Sequence, residues 1–307
     1  MSARPLPVYD PPPMAEGWTV PEDNIQVQVM SDLHLERKFH IPGQFAENGL
    51  PVVALDGYES FDFPVVAPNL ALLGDIGRAE HDRLFVFLRF QLKRFRRIFF
   101  VVGNHELYDS SSTKAMVILE EFEKKMTIER LRNLQLGEFV LMHRKRYDLS
   151  PSVTILGCTL WSHIPAHAEI ELRAKLGDFL NIENWTPGAR NAAHDLDRLW
   201  IARELEALRT HSPQRRVLLL THHAPTQPGT SEPRFEDDVG RLLNFGFASA
   251  LHESAWWGPP ISTWCFGHTH FNCDFVRQGV RLVSNQRGYD NADADRIGFQ
   301  PAKVVSI

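Results

Sequence analysis

The sequence predicts a mixed α/β layered domain with helices packed outside sheets, and three observations carry that prediction. Short apolar β-prone runs recur along the chain, helical apolar periodicity fills the gaps between them, and five of the runs end in acid, amide or imidazole side chains. In open sheets covered by helices, ligand sites collect beyond the strand ends where loops converge. A chain that delivers chemistry repeatedly at such ends is therefore a candidate for one shared site.

The first 24 residues stand apart. Pro5, Pro7, Pro11, Pro12, Pro13 and Pro21 fall in a segment of little periodicity, expected to be an extended or partly disordered arm without chemistry, and residues 25–307 are expected to form a single domain. From Ile25 the character changes. Ile25 to Met30 reads as a strand that stops at Ser31, Asp32 and His34. Phe39 to Phe63 follows as a loop-like stretch with Pro42, Gly43, Gly49, Pro51 and Gly57, long enough to shape entry to a site.

Asn69 to Leu73 leads into Gly74-Asp75. Leu84, Leu88, Leu92 and Phe95 then repeat at helical spacing over 80–96, and the cations Lys93, Arg94, Arg96 and Arg97 sit where a helix C-terminus favours positive charge. Arg97 to Val102 runs into Gly103-Asn104-His105-Glu106. A second helix is predicted over 113–132 from Ile118, Phe122 and Met126, then a solvated basic turn at Arg144, Lys145 and Arg146, and a strand from Val153 to Leu160.

Trp161, Ser162 and His163 follow that strand as either a substrate rim or inter-sheet packing, and Pro165 to Pro187 is of mixed character. Helical patterns run from about Ala189 to Arg209, where His194 reads as solvated or capping, and from Val239 to His252. Between them Arg216 to Leu220 ends in Thr221-His222-His223. Ser262 to Phe266 ends in Gly267-His268-Thr269-His270, and Asn272 to Val276 pairs with Val280 to Ser284 as a hairpin across Arg277 to Gly279. Trp256, Trp257 and Trp264, close to Pro259-Pro260, read as packing aromatics.

Composition narrows the function. With 307 residues, 43% hydrophobic and 23% charged, the chain can bury a large core. A formal net charge of -5 gives no reason to expect duplex nucleic acid as a partner, and a small phosphate ester is easier to accommodate. Cys158, Cys265 and Cys273 are odd in number and each lies in an apolar run, so they read as buried thiols of a reducing, cytoplasmic compartment. No apolar run approaches the roughly 18 residues that span a bilayer, and the N-terminus lacks the apolar core of a secretory signal.

The strand-end residues Asp32, His34, Asp75, Asn104, His222, His268 and His270 combine carboxylate, amide oxygen and imidazole. Such donors suit Mn, Fe or Zn ions, and no cysteine is present to demand a structural zinc site. The set suffices for two divalent or trivalent ions. Two ions roughly 3.5–4 Å apart need a carboxylate between them, and the water they share loses its proton near neutral pH to become a nucleophile.

D-x-H, then G-D, then G-N-H-E, then a strand ending in His, then G-H-T-H resembles the ordered signature of calcineurin-like metallophosphoesterases, over residues 25 to about 290. Small microbial and fungal-type phosphoesterases are the subgroup whose phrases Phe61 to Pro64, Gly157 to Pro165 and Asn285 to Tyr289 resemble. The resemblance implies a four-layer αββα sandwich of two mixed β-sheets flanked by helices. It also implies that Asp32, His34 and His270 bind one metal and Asn104, His222 and His268 the other, with Asp75 bridging. His105 would contact the phosphoryl oxygens and protonate the leaving group, and Glu106 would support it or a neighbouring backbone group.

In Thr221-His222-His223 the resemblance favours His222 as the ligand. Strand alternation sends its neighbour elsewhere, leaving His223 to line the mouth of the site or satisfy a backbone carbonyl. The expected activity is metal-dependent hydrolysis of a phosphate ester, a small phosphodiester ahead of a monoester. A noncatalytic module on the same fold is the rival class, and it would be expected to have lost ligands that this chain keeps.

Overall fold

The computed structural model describes residues 25–45, 51–236, 241–289, 294–295 and 297–307. The proline-rich arm lies outside them. The strands form two large mixed sheets. In the first, the order is Val304–Ser306, Gln26–Met30, Asn69–Leu73, Arg97–Val101, Glu138–Leu141, parallel except for the antiparallel C-terminal strand. In the second, the order is Asp274–Arg277, Val280–Ser284, Ile261–Phe266, Arg216–Thr221, Val153–Cys158, Lys145–Asp148, parallel in the middle and antiparallel at both edges.

The central strands are buried on both faces and read as unbroken apolar runs, as parallel strands between layers must. Their side chains divide by the two-residue alternation. Val27, Val29, Ala71, Leu73, Phe99 and Val101 of the first sheet meet Val153, Ile155, Leu218, Leu220, Cys265 and Val283 of the second. The opposite face of the first sheet packs on the helices Asp82–Leu92 and Ser112–Arg132 through Leu84, Leu88, Leu119 and Phe122. The opposite face of the second packs on the helix Pro187–His211 through Ile201, Leu205 and Leu208. The result is the four-layer αββα sandwich of two mixed sheets.

Helix limits follow local chemistry. Ser111 caps Ser112–Arg132 by accepting from Lys114 N at 3.2 Å, and Arg130 and Arg132 occupy its last turn. Thr186 caps Pro187–His211 through Ala189 N at 3.1 Å, with proline in the first turn.

Three expectations need correction. The stretch after the first motif is not a plain loop: Lys38–Phe45 and Pro51–Asp56 pair as an antiparallel hairpin, where alternating apolar residues outweigh the glycines and prolines. No continuous helix spans 239–252. Among its described residues only Arg241–Asn244 and a 3-10 turn at Leu251–Glu253 are helical, because Ala248 bridges Ala224 beside the second sheet. The basic cluster at 144–146 is a turn only in part: Arg144 lies in a bend at φ 46°, whereas Lys145 and Arg146 open the edge strand Lys145–Asp148. Arg144 meets Asp197 at 2.7 Å and Arg146 meets Asp148 at 3.1 Å.

The other secondary features are structural. Trp264 is fully buried with Trp256 and Trp257 packed around it, and Arg97 reaches the Tyr147 hydroxyl at 2.9 Å. The three cysteines carry no disulfide; Cys158 and Cys265 are buried and Cys273 partly so. No helix among the described residues is long and apolar enough to cross a membrane.

Candidate metal centre

The C-terminal ends of the parallel strands in both sheets open on one place, and a link across the sandwich fixes their relative position. Ser31, just past the first strand, bridges Gln286 beyond the Val280–Ser284 strand, and Ser31 N donates to Asn285 O at 3.0 Å. Around this junction the backbone is unusual. Asp32, His34, Asp75, His268 and His270 all take positive φ, from 46° to 72°, a conformation that costs non-glycine residues energy and is retained where a site requires it.

Two side-chain groups result. In one, His34 Nε2 and His270 Nε2 lie 3.1 Å apart, and His270 Nε2 is 3.4 Å from Asp32 Oδ1. Two imidazole nitrogens facing each other so closely suit lone pairs aimed at a common cation. In the other, His222 Nε2 lies 2.9 Å from Asn104 Oδ1, and the His222 and His268 rings are 4.8 Å apart. Asp75 stands between them. Its Oδ1 is 3.4 Å from His222 Nε2 and its Oδ2 is 4.0 Å from His34 Nε2. All seven ligand-type residues predicted from the sequence are thus brought together, and the buried clusters of histidine and acid could hold metal ions.

Three of the four imidazoles are held by their other nitrogen, which fixes the tautomer. His222 Nδ1 donates to Leu73 O at 2.8 Å, His268 Nε2 to Gly246 O at 3.2 Å, and His34 Nδ1 to Glu36 Oε1 at 3.4 Å. Asn104 is oriented likewise. Its amide nitrogen donates to Asp178 Oδ1 at 2.8 Å and points to the Tyr108 hydroxyl at 3.1 Å, leaving Oδ1 toward His222. Asp178 is itself held at 2.6 Å by the fully buried Arg190, which also donates to Ser162 and to the Gly246 carbonyl.

The glycines of two motifs are demanded by contact. A Cβ on Gly103 would strike the Asp75 carboxylate, and one on Gly74, at φ 86°, would strike the His222 ring. Glu106 takes the backbone role foreseen as one alternative. Its carboxylate accepts from Asp75 N at 2.9 Å, Ile76 N at 2.8 Å and Gly103 N at 2.7 Å, tying the two loops together.

The electrostatics are those of a site built for cations. Burial alone would raise Asp75 and lower His222. The attraction between them wins, holding Asp75 well below the usual carboxylate range and His222 up at about 9. Burial pushes His34 and His268 down, which favours the neutral, ligating form. His105 is lifted to about 8 despite its burial, because Asp75 and Glu36 face it. Glu36 is buried yet held at about 2 by His105 and His34.

His105 sits beside the two groups with Nδ1 on Glu36 Oε1 at 3.0 Å and Nε2 3.9 Å from Asp75 Oδ2, its ring stacked on Tyr108 at 4.2 Å. Tyr289 covers the other side, 4.5 Å from the His270 ring and 4.7 Å from the His34 ring, with the Arg37 guanidinium 4.6 Å above it.

Trp161, Ser162 and His194 resolve as packing. Trp161 is buried against Trp185, and Ser162 is buried under Arg190, while His163 is the more exposed of the three. His194 is buried rather than solvated, with Nδ1 donating to the carbonyls of Leu160 and Trp161. His223 does neither thing expected of it. It is fully buried rather than at the mouth, and neither ring nitrogen finds a partner among the described residues.

Glu36, Asp178 and Arg190 were not anticipated. Glu36 carried a signal, since it continues the alternation Asp32, His34, Glu36 past the strand. Asp178 and Arg190 lie outside any motif and reach Asn104 only through the fold.

No protein-family model matches the chain. It is 26% identical over 289 residues to an uncharacterized protein, L509, of Acanthamoeba polyphaga mimivirus, covering 92% of this chain and 96% of the relative. Among solved structures it is similar to the phosphopantetheinyl hydrolase PptH from Mycobacterium tuberculosis, with a TM-score of 0.57 and 14% sequence identity over 93% of this chain and 96% of that one. The two proteins share a fold.

Proposed function

We propose that the chain is a two-metal phosphoesterase of the calcineurin-like kind, acting on a small phosphodiester. The observation that carries the reading is Asp75, whose two carboxylate oxygens face different histidine sets. Asp32, His34 and His270 would hold one ion, and Asn104, His222 and His268 the other, with Asp75 shared. The donor set of oxygen and imidazole suits Mn, Fe or Zn. When bound, such ions supply Lewis acidity for the phosphoryl oxygens and an acidified water as nucleophile.

The remaining chemistry belongs to the chain. His105 presents Nε2 toward the Asp75 side of the site while Glu36 fixes its Nδ1, so the Nε2 proton is aimed for delivery to a leaving oxygen. Glu36 keeps His105 in the protonated form that this delivery needs. Tyr289 and Arg37 form a wall of aromatic surface and positive charge over the His34–His270 side, fit to pack the leaving group of an ester. A chain with a formal net charge of -5 suits a small ester better than a duplex nucleic acid.

The test is metal-stripped protein assayed with added Mn on bis(p-nitrophenyl) phosphate and on p-nitrophenyl phosphate, with Asp75→Asn and His105→Ala alongside. Metal-dependent diester hydrolysis lost in both variants is the expected result. A monoester preference would move the substrate class to phosphomonoesters, and absence of metal binding would overturn the reading. The phosphopantetheinyl group acted on by the fold-sharing protein is a natural third ester for the panel.

A further inference from the structure

His223 follows the proposed ligand His222, is fully buried, and has no hydrogen-bond partner for Nδ1 or Nε2 among the described residues. An imidazole always carries at least one N–H donor or lone-pair acceptor at each ring nitrogen. Burying both unpaired costs on the order of several kcal/mol, and native interiors avoid it unless something else occupies the partner position.

The surroundings of His223 say what that partner is. Its ring lies 3.9 Å from His268 and 5.3 Å from His222, and ring nitrogens of all three fall within 4.8 Å of one another. Around it also stand the Trp161 ring at 5.2 Å and, beyond that ring, the cationic Arg190, neither of which offers an acceptor, while His194 has its Nδ1 engaged by the carbonyls of Leu160 and Trp161. The other two histidines each have one nitrogen fixed on a backbone carbonyl, Leu73 O and Gly246 O. That leaves His222 Nε2, 2.9 Å from Asn104 Oδ1, and His268 Nδ1 off the backbone carbonyls, with the His223 ring beside both rings.

We propose that His223 is a further metal ligand, joining His222, His268, Asn104 and Asp75 at the second metal position. This rests on the two-metal reading above and adds a residue that the sequence motifs do not supply. It makes the two positions unequal. The first has two imidazoles, His34 and His270, whereas the second gains a third imidazole, which shifts its preference toward zinc over harder ions such as manganese.

The test is metal binding rather than turnover. Metal-stripped wild type, His223→Ala and His223→Asn are titrated with Zn and with Co in a calorimeter. Metal content is measured after gel filtration, and visible spectra are taken of the Co-loaded forms. The expected result is two binding events in wild type, one of them weakened about 100-fold in both variants, in the upper part of the range for disturbing a metal's surroundings. The Co spectrum of that event should change, while Asp32→Asn weakens the other event.

Wild type needs no substitution for a second measurement. Co-loaded protein should show paramagnetically shifted imidazole signals from His34, His270, His222, His268 and His223. Signals from the first four alone, or two events and an unchanged Co spectrum in folded variants, would overturn the assignment of His223 while leaving the two-metal reading intact. Failure of wild type to bind metal would overturn both.

Discussion

Asp178 holds Asn104 on one carboxylate oxygen, at 2.8 Å, and it does so from a helix 74 positions along the chain. That bond decides which end of the amide faces the site. Asp178 keeps its own position because its other oxygen meets Arg190 at 2.6 Å, in a pair with almost no access to water.

Asp178→Ala should therefore act twice. Loss of the amide's anchor should weaken retention of the Asn104-side metal about 10–100-fold, and the stranded buried guanidinium should cost about 3–5 kcal/mol of stability. Metal titration and urea unfolding of the stripped protein read the two effects separately.

The metal-free protein should lose stability as pH rises. His105 and His222 are raised in the folded state to about 8 and about 9, above their unfolded value near 6.5. Their contribution is complete below pH 6.5 and disappears as pH climbs through 8 and 9. Urea midpoints of stripped protein should fall between pH 6.5 and 9.5, and His222→Gln should flatten much of that slope.

For the same reason, loading the site should release protons. At pH 7.5 the metal-free His222 is protonated, and it must lose that proton to ligate. Calorimetric titrations in buffers of different ionisation enthalpy should give apparent heats that differ in proportion, whereas at pH 10 the difference should shrink.

Gly103→Ala should abolish turnover without replacing any ligand, because its Cβ would collide with the Asp75 carboxylate. The overpacking cost is about 1–3 kcal/mol. Gly188→Ala is the control, since its Cβ meets only Thr186 Oγ1 at 3.9 Å, and its activity should match wild type.

Between the sheets, Phe99 is fully buried and packs edge-on against Tyr147 at 5.2 Å. Phe99→Ala should lower stability by about 3–5 kcal/mol, measured by denaturant unfolding.

The sandwich and the gathering of the seven strand-end residues were legible because both depend on short-range pattern. A parallel strand buried on both faces must be apolar, and its end must turn polar, so Asn69 to Asp75 announces itself in seven residues. What escaped was long-range or compensated. Asp178 and Arg190 have no local signature, since their meaning comes from Asn104 and Gly246 across the fold. The hairpin after the first motif was hidden by glycine and proline, and the helix expected over 239–252 came from apolar spacing in which Leu242, Leu243, Phe245 and Phe247 instead pack against Ile164, Leu172 and Leu176. His223 was misplaced by strand alternation, which stops applying once the chain leaves the sheet at Thr221.

Each of the two residue sets at the centre draws from both sheets: Asp32 and His34 with His270 across from them, and Asn104 with His222 and His268 across from it. Ions bound there would act as rivets through the seam of the sandwich. The two halves could then no longer part or slide independently, so amide exchange in the strands on both sides of the seam should slow together on loading, far beyond the residues that touch the metals.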